Sequence, residues 1–123
     1  QYAALAAFRP ETLAVLEERR QEFRRRRDYM VPALRELGFR IPVMPQGAFY
    51  IYAGCEGFSK DSTQFALRVL EEAGVAITPG LDFGSSRPER HVRFAYTRSL
   101  EDLKEGIERI ARMLGSPRRS ARA

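Results

Sequence analysis

The sequence has 123 residues, of which 44% are apolar and 30% charged. That composition excludes a disordered chain and fits one globular domain. The formal net charge of +5 is carried by nineteen arginines and only two lysines, Lys60 and Lys104. A basic balance draws anions without selecting among them. The single cysteine, Cys55, excludes an intrachain disulfide and suits a reducing compartment such as the cytoplasm. No apolar run reaches the length of a bilayer span.

The chain begins Gln1-Tyr2-Ala3-Ala4 without methionine, as expected of a processed or excised piece. The apolar stretch from Ala3 to Phe8 has no basic segment before it and makes a poor signal peptide. Pro10 suits a first helical position, where its missing N–H is not needed. From it a helical pattern runs to Leu37, with Leu13, Leu16, Arg20, Phe23, Arg27, Met30, Leu34 and Leu37 at steps of three and four. Pro32 removes one backbone bond and predicts a kink or a break, and Gly38 is a natural stop. A short strand is expected over 39–44, a turn at Pro45-Gln46-Gly47 and a second strand over 48–53. Asp61 with Gln64 resembles a capping box, opening a helix that ends at Ala73 before Gly74. A third strand is expected over 75–78, then a Gly/Pro/Ser-rich loop over 79–90 and a fourth strand over 91–96. Ser99 caps a last helix to about Leu114, with Leu103, Ile107, Ile110 and Leu114 on one face. Residues 115–123 form a polar, basic tail, expected to fray. The predicted fold is α/β: a small mixed sheet of about four strands packed by three helices.

Two strands carry functional information. Side chains alternate across a strand. Ala48 to Ala53 then places Phe49, Ile51 and Ala53 on one face and Ala48, Tyr50 and Tyr52 on the other, so both faces ask for cover. In 91–96, Val92, Phe94 and Tyr96 share the core face, and Arg93 stands on the other beside the small Ala95. An arginine there has room to reach into a cleft, although a plain surface arginine has the same pattern. Other features point nowhere in particular. Arg24 to Arg27 fan around their helix, as on a solvated face with some inter-domain ion pairs, rather than forming a nucleic-acid stripe. His91 has no metal-ligand partner at useful spacing, so no metal site is expected. Cys55 lacks an activating neighbour. Tyr50, Tyr52 and Tyr96 suit a core.

Three segments occur in order: Pro45-Gln46-Gly47-Ala48-Phe49-Tyr50; Ala73-Gly74-Val75-Ala76-Ile77-Thr78-Pro79-Gly80 with Leu81-Asp82-Phe83-Gly84; and Val92-Arg93-Phe94-Ala95-Tyr96, followed by the helix with Ile107-Glu108-Arg109-Ile110. With Arg26-Arg27-Asp28, they resemble the C-terminal small domain of class I/II aminotransferases of fold type I, over about residues 1–114. The resemblance implies a pyridoxal-phosphate enzyme that moves an amino group from an amino acid to a 2-oxo acid. It implies that Arg93 holds the substrate α-carboxylate, for which a planar guanidinium with two parallel N–H bonds is well suited. It places Phe49 near the substrate side, where simple sheet packing is the plainer role, and the loop of Pro79-Gly80 and Phe83-Gly84 beside the active-site mouth, where Gly84 equally suits an ordinary turn.

Neither Lys60 nor Lys104 has the context of the family's Schiff-base lysine. Catalytic, cofactor-binding and pyridine-pairing residues are therefore expected in a large domain outside these residues, and this piece alone is expected to be inactive. The resemblance also implies a homodimer for the intact enzyme. No nucleic-acid or membrane partner is expected. A fold-type-I lyase or acyltransferase, or a small α/β ligand- or RNA-binding module, stays open on sequence alone.

Overall fold

The computed structural model describes residues 1–115; the expected basic tail lies, from residue 116 on, outside the described residues. Chain order is α1 (Tyr2–Ala6), α2 (Pro10–Leu37), β1 (Tyr50–Gly54), α3 (Ser62–Ala73), β2 (Thr78–Pro79), β3 (His91–Ala95) and α4 (Leu100–Met113). Two 3-10 turns, Gly80–Phe83 and Pro88–Arg90, sit inside the loop between β2 and β3. Within α2, Pro10 occupies the first turn and the helix ends at Gly38, whose φ of 103° no other residue type adopts cheaply. Pro32 does not divide α2. Met30, Val31, Ala33, Leu34 and Leu37 around it are all buried, and that packing holds the backbone helical across the lost bond. The expected apolar seam is buried only toward this end, for Leu13 and Leu16 remain about half exposed.

The sheet departs from expectation in number and kind. It has three strands in the order β1-β3-β2, and both pairings are antiparallel. The strand expected over 39–44 is a single bridge between Arg40 and Gly54, closed by two bonds of 3.0 and 2.8 Å. The next hydrogen-bonded pair in that register sets residue 42 opposite Tyr52, and Pro42 has no N–H to give. Strand β1 starts at Tyr50 rather than Ala48 because Ala48 has φ 60°, a left-handed conformation costing about 1–2 kcal/mol for a residue with a Cβ. Tyr96 offsets it from across the sheet: its hydroxyl donates to the Ala48 carbonyl at 3.1 Å and its N–H to the Phe49 carbonyl at 2.8 Å. The expected strand over 75–78 shrinks to Thr78–Pro79, because residues 75–77 diverge from β3. A cleft of about 390 Å³ opens there, between Val75, Ile77, Phe94 and Ala95 and the facing side of α4.

One sheet face makes the core. Ile51, Ala53, Val92 and Phe94 point into it and meet Leu34 of α2, Val69 of α3 and Ile107 of α4, all buried. Helix ends follow the expected chemistry. The Asp61 carboxylate accepts from the N–H groups of Thr63 and Gln64 at 2.9 and 3.1 Å, and the Ser99 hydroxyl from that of Asp102 at 3.1 Å. Gly80 is buried where the backbone turns back toward β3. A Cβ on it would collide with the Pro88 carbonyl oxygen and lie 2.8 Å from the Tyr52 hydroxyl and 2.9 Å from the His91 carbonyl oxygen.

Two substitutions test these constraints by urea unfolding. Asp61→Ala is expected to lower stability by about 1 kcal/mol through loss of the cap. Gly80→Ala is expected to cost about 1–3 kcal/mol by overpacking against backbone that cannot step aside; an unchanged midpoint would mean the 78–90 loop does not pack as described.

Candidate functional site

The second sheet face has no helix over it, and there the aromatic residues gather. Tyr50 and Tyr52 project outward from β1, 40% and 38% exposed, so the expectation that they belong to the core holds only for the third tyrosine, Tyr96, which is buried. Phe49 lies outside the strand and does not share the buried face of Ile51 and Ala53 as the alternation had predicted. The turn at Ala48 swings it out of register, and it packs edge-on against Tyr50 with ring centres 5.9 Å apart.

Arg93 stands at the centre of this face. Strand β3 is the middle strand, so Arg93 has Tyr52 opposite it on one side and Thr78 on the other. Its side chain is half-buried among rings. The guanidinium carbon lies 4.6 Å over the centre of the Phe83 ring and 5.7 Å from that of Tyr50. Nη2 reaches the Thr78 hydroxyl at 3.5 Å, while Nε is buried with no hydrogen-bond partner. No carboxylate among the described residues pairs with it. Elsewhere the chain supplies acids readily: Arg40 meets Glu56 at 2.8 Å, Arg26 meets Glu22 at 3.0 Å and Arg109 meets Glu105 at 2.5 Å. A half-buried guanidinium without an anion and with an idle N–H is incompletely satisfied, since a charge out of water calls for a partner.

The surroundings of Arg93 are themselves fixed. Phe83 ends the 3-10 turn that Gly80 begins, and Tyr52 packs edge-on to it at 6.2 Å. Tyr52 stacks in turn on His91 at 4.8 Å and 8°, and His91 Nδ1 lies 3.0 Å from the Arg87 carbonyl oxygen. Burial pushes the Tyr52 phenol above its ordinary value, so it stays protonated at neutral pH. Gly80 thus shapes the wall of the site through backbone packing. Gly84, with φ 144° and open space around its α-carbon, serves only the turn. Thr78 and Tyr50 are neighbours of Arg93 that pattern reading does not assign, and the cross-strand register is the signal that locates them; resemblance sets the loop of Phe83 near the mouth but not its ring over the guanidinium.

The other expected features fall elsewhere. Lys60 lines a shallow groove with Glu56, Ser59, Glu89 and Arg90, and the Lys104 ammonium lies 5.9 Å from the ring centre of Tyr29. Neither joins the Arg93 cluster. Cys55 is fully buried, and burial raises its thiol, which suits a packing role. Arg25 and Arg26 bond Glu22, Arg26 also reaches the Tyr96 and Thr97 carbonyls, and Arg27 pairs with Asp28 and the Pro45 carbonyl. Arg24, with Arg19, Arg20 and Arg27, borders a second cleft floored by Leu16 and Phe23. Among the described residues no His, Cys, Asp and Glu cluster fits a metal, and no helix is long and apolar enough to cross a membrane.

Comparison with known proteins agrees with this architecture. The profile of the family described as aminotransferase class I and II matches residues 1–110. The aspartate/prephenate aminotransferase of Thermus thermophilus is 40% identical over 117 residues, which are 94% of this chain and 29% of that protein. The (5-formylfuran-3-yl)methyl phosphate transaminase of Methanocaldococcus jannaschii is 38% identical over 114 residues, 93% of this chain and 30% of its own length. The crystal structure of an aminotransferase from Mycobacterium tuberculosis superposes with a TM-score of 0.86 at 35% identity, covering 94% of this chain and 30% of that one. The chain therefore spans about 30% of the length of the curated relatives it matches. By profile, sequence and fold together, it belongs to the class I and II aminotransferase family.

Proposed function

We propose that residues 1–114 are the C-terminal small domain of a pyridoxal-phosphate-dependent aminotransferase, and that Arg93 holds the α-carboxylate of the amino acid and of the 2-oxo acid it exchanges with. The observation that carries this reading is the state of Arg93: half-buried, walled by Phe83 and Tyr50, one N–H idle, and no acid among the described residues to neutralise it. A carboxylate arriving from outside supplies the missing charge, and the low-dielectric aromatic wall strengthens the bond it makes. Because the guanidinium is a planar fork, the grip fixes orientation as well as position. Phe49 and Gly80 belong to the same reading at different levels. Phe49 lies next to Tyr50 and offers apolar cover to the substrate, while Gly80 keeps the loop against β3.

The cofactor, the lysine that binds it and the recognition of the donor side chain fall, on this proposal, to a large domain beyond these residues. The uncovered sheet face and the exposed Leu13 and Leu16 of α2 suit contact with that domain. The intact enzyme is read as a cytoplasmic homodimer, the first term resting on the lone buried thiol and the second on family resemblance.

Two outcomes are expected. In the intact enzyme, Arg93→Ala should lower kcat/KM for amino acids by about a hundredfold or more, the scale of a truncated charge-assisted pair, and leave cofactor affinity unchanged. Unchanged kcat/KM would remove Arg93 from the site. The 123-residue chain titrated with pyridoxal phosphate should give no saturable visible band traceable to one lysine; such a band at Lys60 or Lys104 would overturn the division of labour.

A further inference from the structure

We infer that Phe83 is the positioning residue of this site, orienting the Arg93 guanidinium through its ring face so that the cation is held without spending its N–H donors. The inference rests on Arg93 being the carboxylate holder. An arginine can be fixed by an acid, by neutral acceptors or by a ring. An acid orients it but occupies the donors a substrate needs and cancels the charge. A ring attracts the cation through its negative face and leaves the in-plane N–H groups free. Arg93 has no acid among the described residues, one long bond to Thr78 at 3.5 Å, and Phe83 with its ring centre 4.6 Å from Cζ. Tyr50 is the more distant of the two rings, at 5.7 Å.

Phe83 is itself constrained, as a positioning residue must be. It closes the 3-10 turn begun by Gly80, whose backbone is wedged against the Pro88 and His91 carbonyls. Tyr52 buttresses the ring edge-on at 79°, and His91 lies flat against Tyr52. The line of contact thus runs from β3 at His91, through Tyr52 of β1, to the loop ring and back to β3 at Arg93. A merely packed phenylalanine would be buried; this one is 44% exposed and meets the cation on its face.

The test separates ring electrostatics from bulk. In the intact enzyme, Phe83→Leu is expected to raise KM for an α-amino acid about tenfold with a small change in kcat. The slow reaction of the corresponding primary amine, which lacks the carboxylate, should not change. Phe83→Tyr should restore the KM. In the 123-residue chain, the NMR order parameter of the Arg93 Nε–H should fall in Phe83→Leu and not in Phe83→Tyr. If the leucine variant does not fold, pentafluorophenylalanine at position 83 keeps the shape and reverses the ring quadrupole, and the same losses are expected. Unchanged KM and unchanged Arg93 mobility, alongside a large loss in Arg93→Ala, would overturn the role of Phe83 and leave the carboxylate assignment standing. Should Arg93→Ala leave amino-acid kinetics unchanged, the carboxylate assignment fails and takes this inference with it.

Discussion

The hydrogen-bond alternation of β3 governs both the core and the site. It is the middle strand, held antiparallel on each side, and neighbouring side chains leave it in opposite directions. Val92 and Phe94 must then enter the core, and Arg93 between them must leave it. A slip of one residue would bury a guanidinium and expose a phenylalanine, at a cost of many kcal/mol by any account of charge burial. The apolar demand of the core is therefore what fixes the direction of Arg93. Tyr96 secures the end of this register, for its N–H and hydroxyl bond two consecutive carbonyls of the 48–49 turn.

Much of this was legible in the sequence because it rests on period and on caps. The helices around Leu34, Val69 and Ile107 follow from apolar spacing, and their ends from Asp61, Ser99, Gly38 and Gly74. The outward direction of Arg93 follows from alternation alone. What escaped was set by single atoms and by contacts distant in sequence. The first expected strand failed for want of one N–H at Pro42. The second lost two residues to the left-handed turn at Ala48, which no propensity favours and which Tyr96 supports from 48 positions away. The third parted from β3 where α4 and residues 75–77 leave a cleft between them.

The candidate site was legible to the same degree. One residue, Arg93, could be named from pattern and resemblance, because a cation in mid-strand is conspicuous there. Of its neighbours, only the loop of Phe83 could be named, and not its ring contact, because that loop's fold depends on the close approach at Gly80; Tyr50 has the pattern of a core residue. A strand pattern shows which side a residue faces; it does not show what a loop lays over that side.

That division explains the chemistry available to the uncovered face. The helices bury Ile51, Ala53, Val92 and Phe94 on one side of the sheet and leave the other with Tyr50, Tyr52, Phe83 and the Arg93 cation. An aromatic surface of this kind is costly beside water alone, and a half-buried cation is costly without an anion. Both costs fall together if a second body closes over the face and admits a small acid between. Apolar cover raises the strength of the ion pair, and the ion pair selects which small molecules the closed crevice retains. On the proposed function, the rings that a second domain would cover are the same rings that would strengthen the grip of Arg93 on a carboxylate, and both follow from one uncovered sheet face.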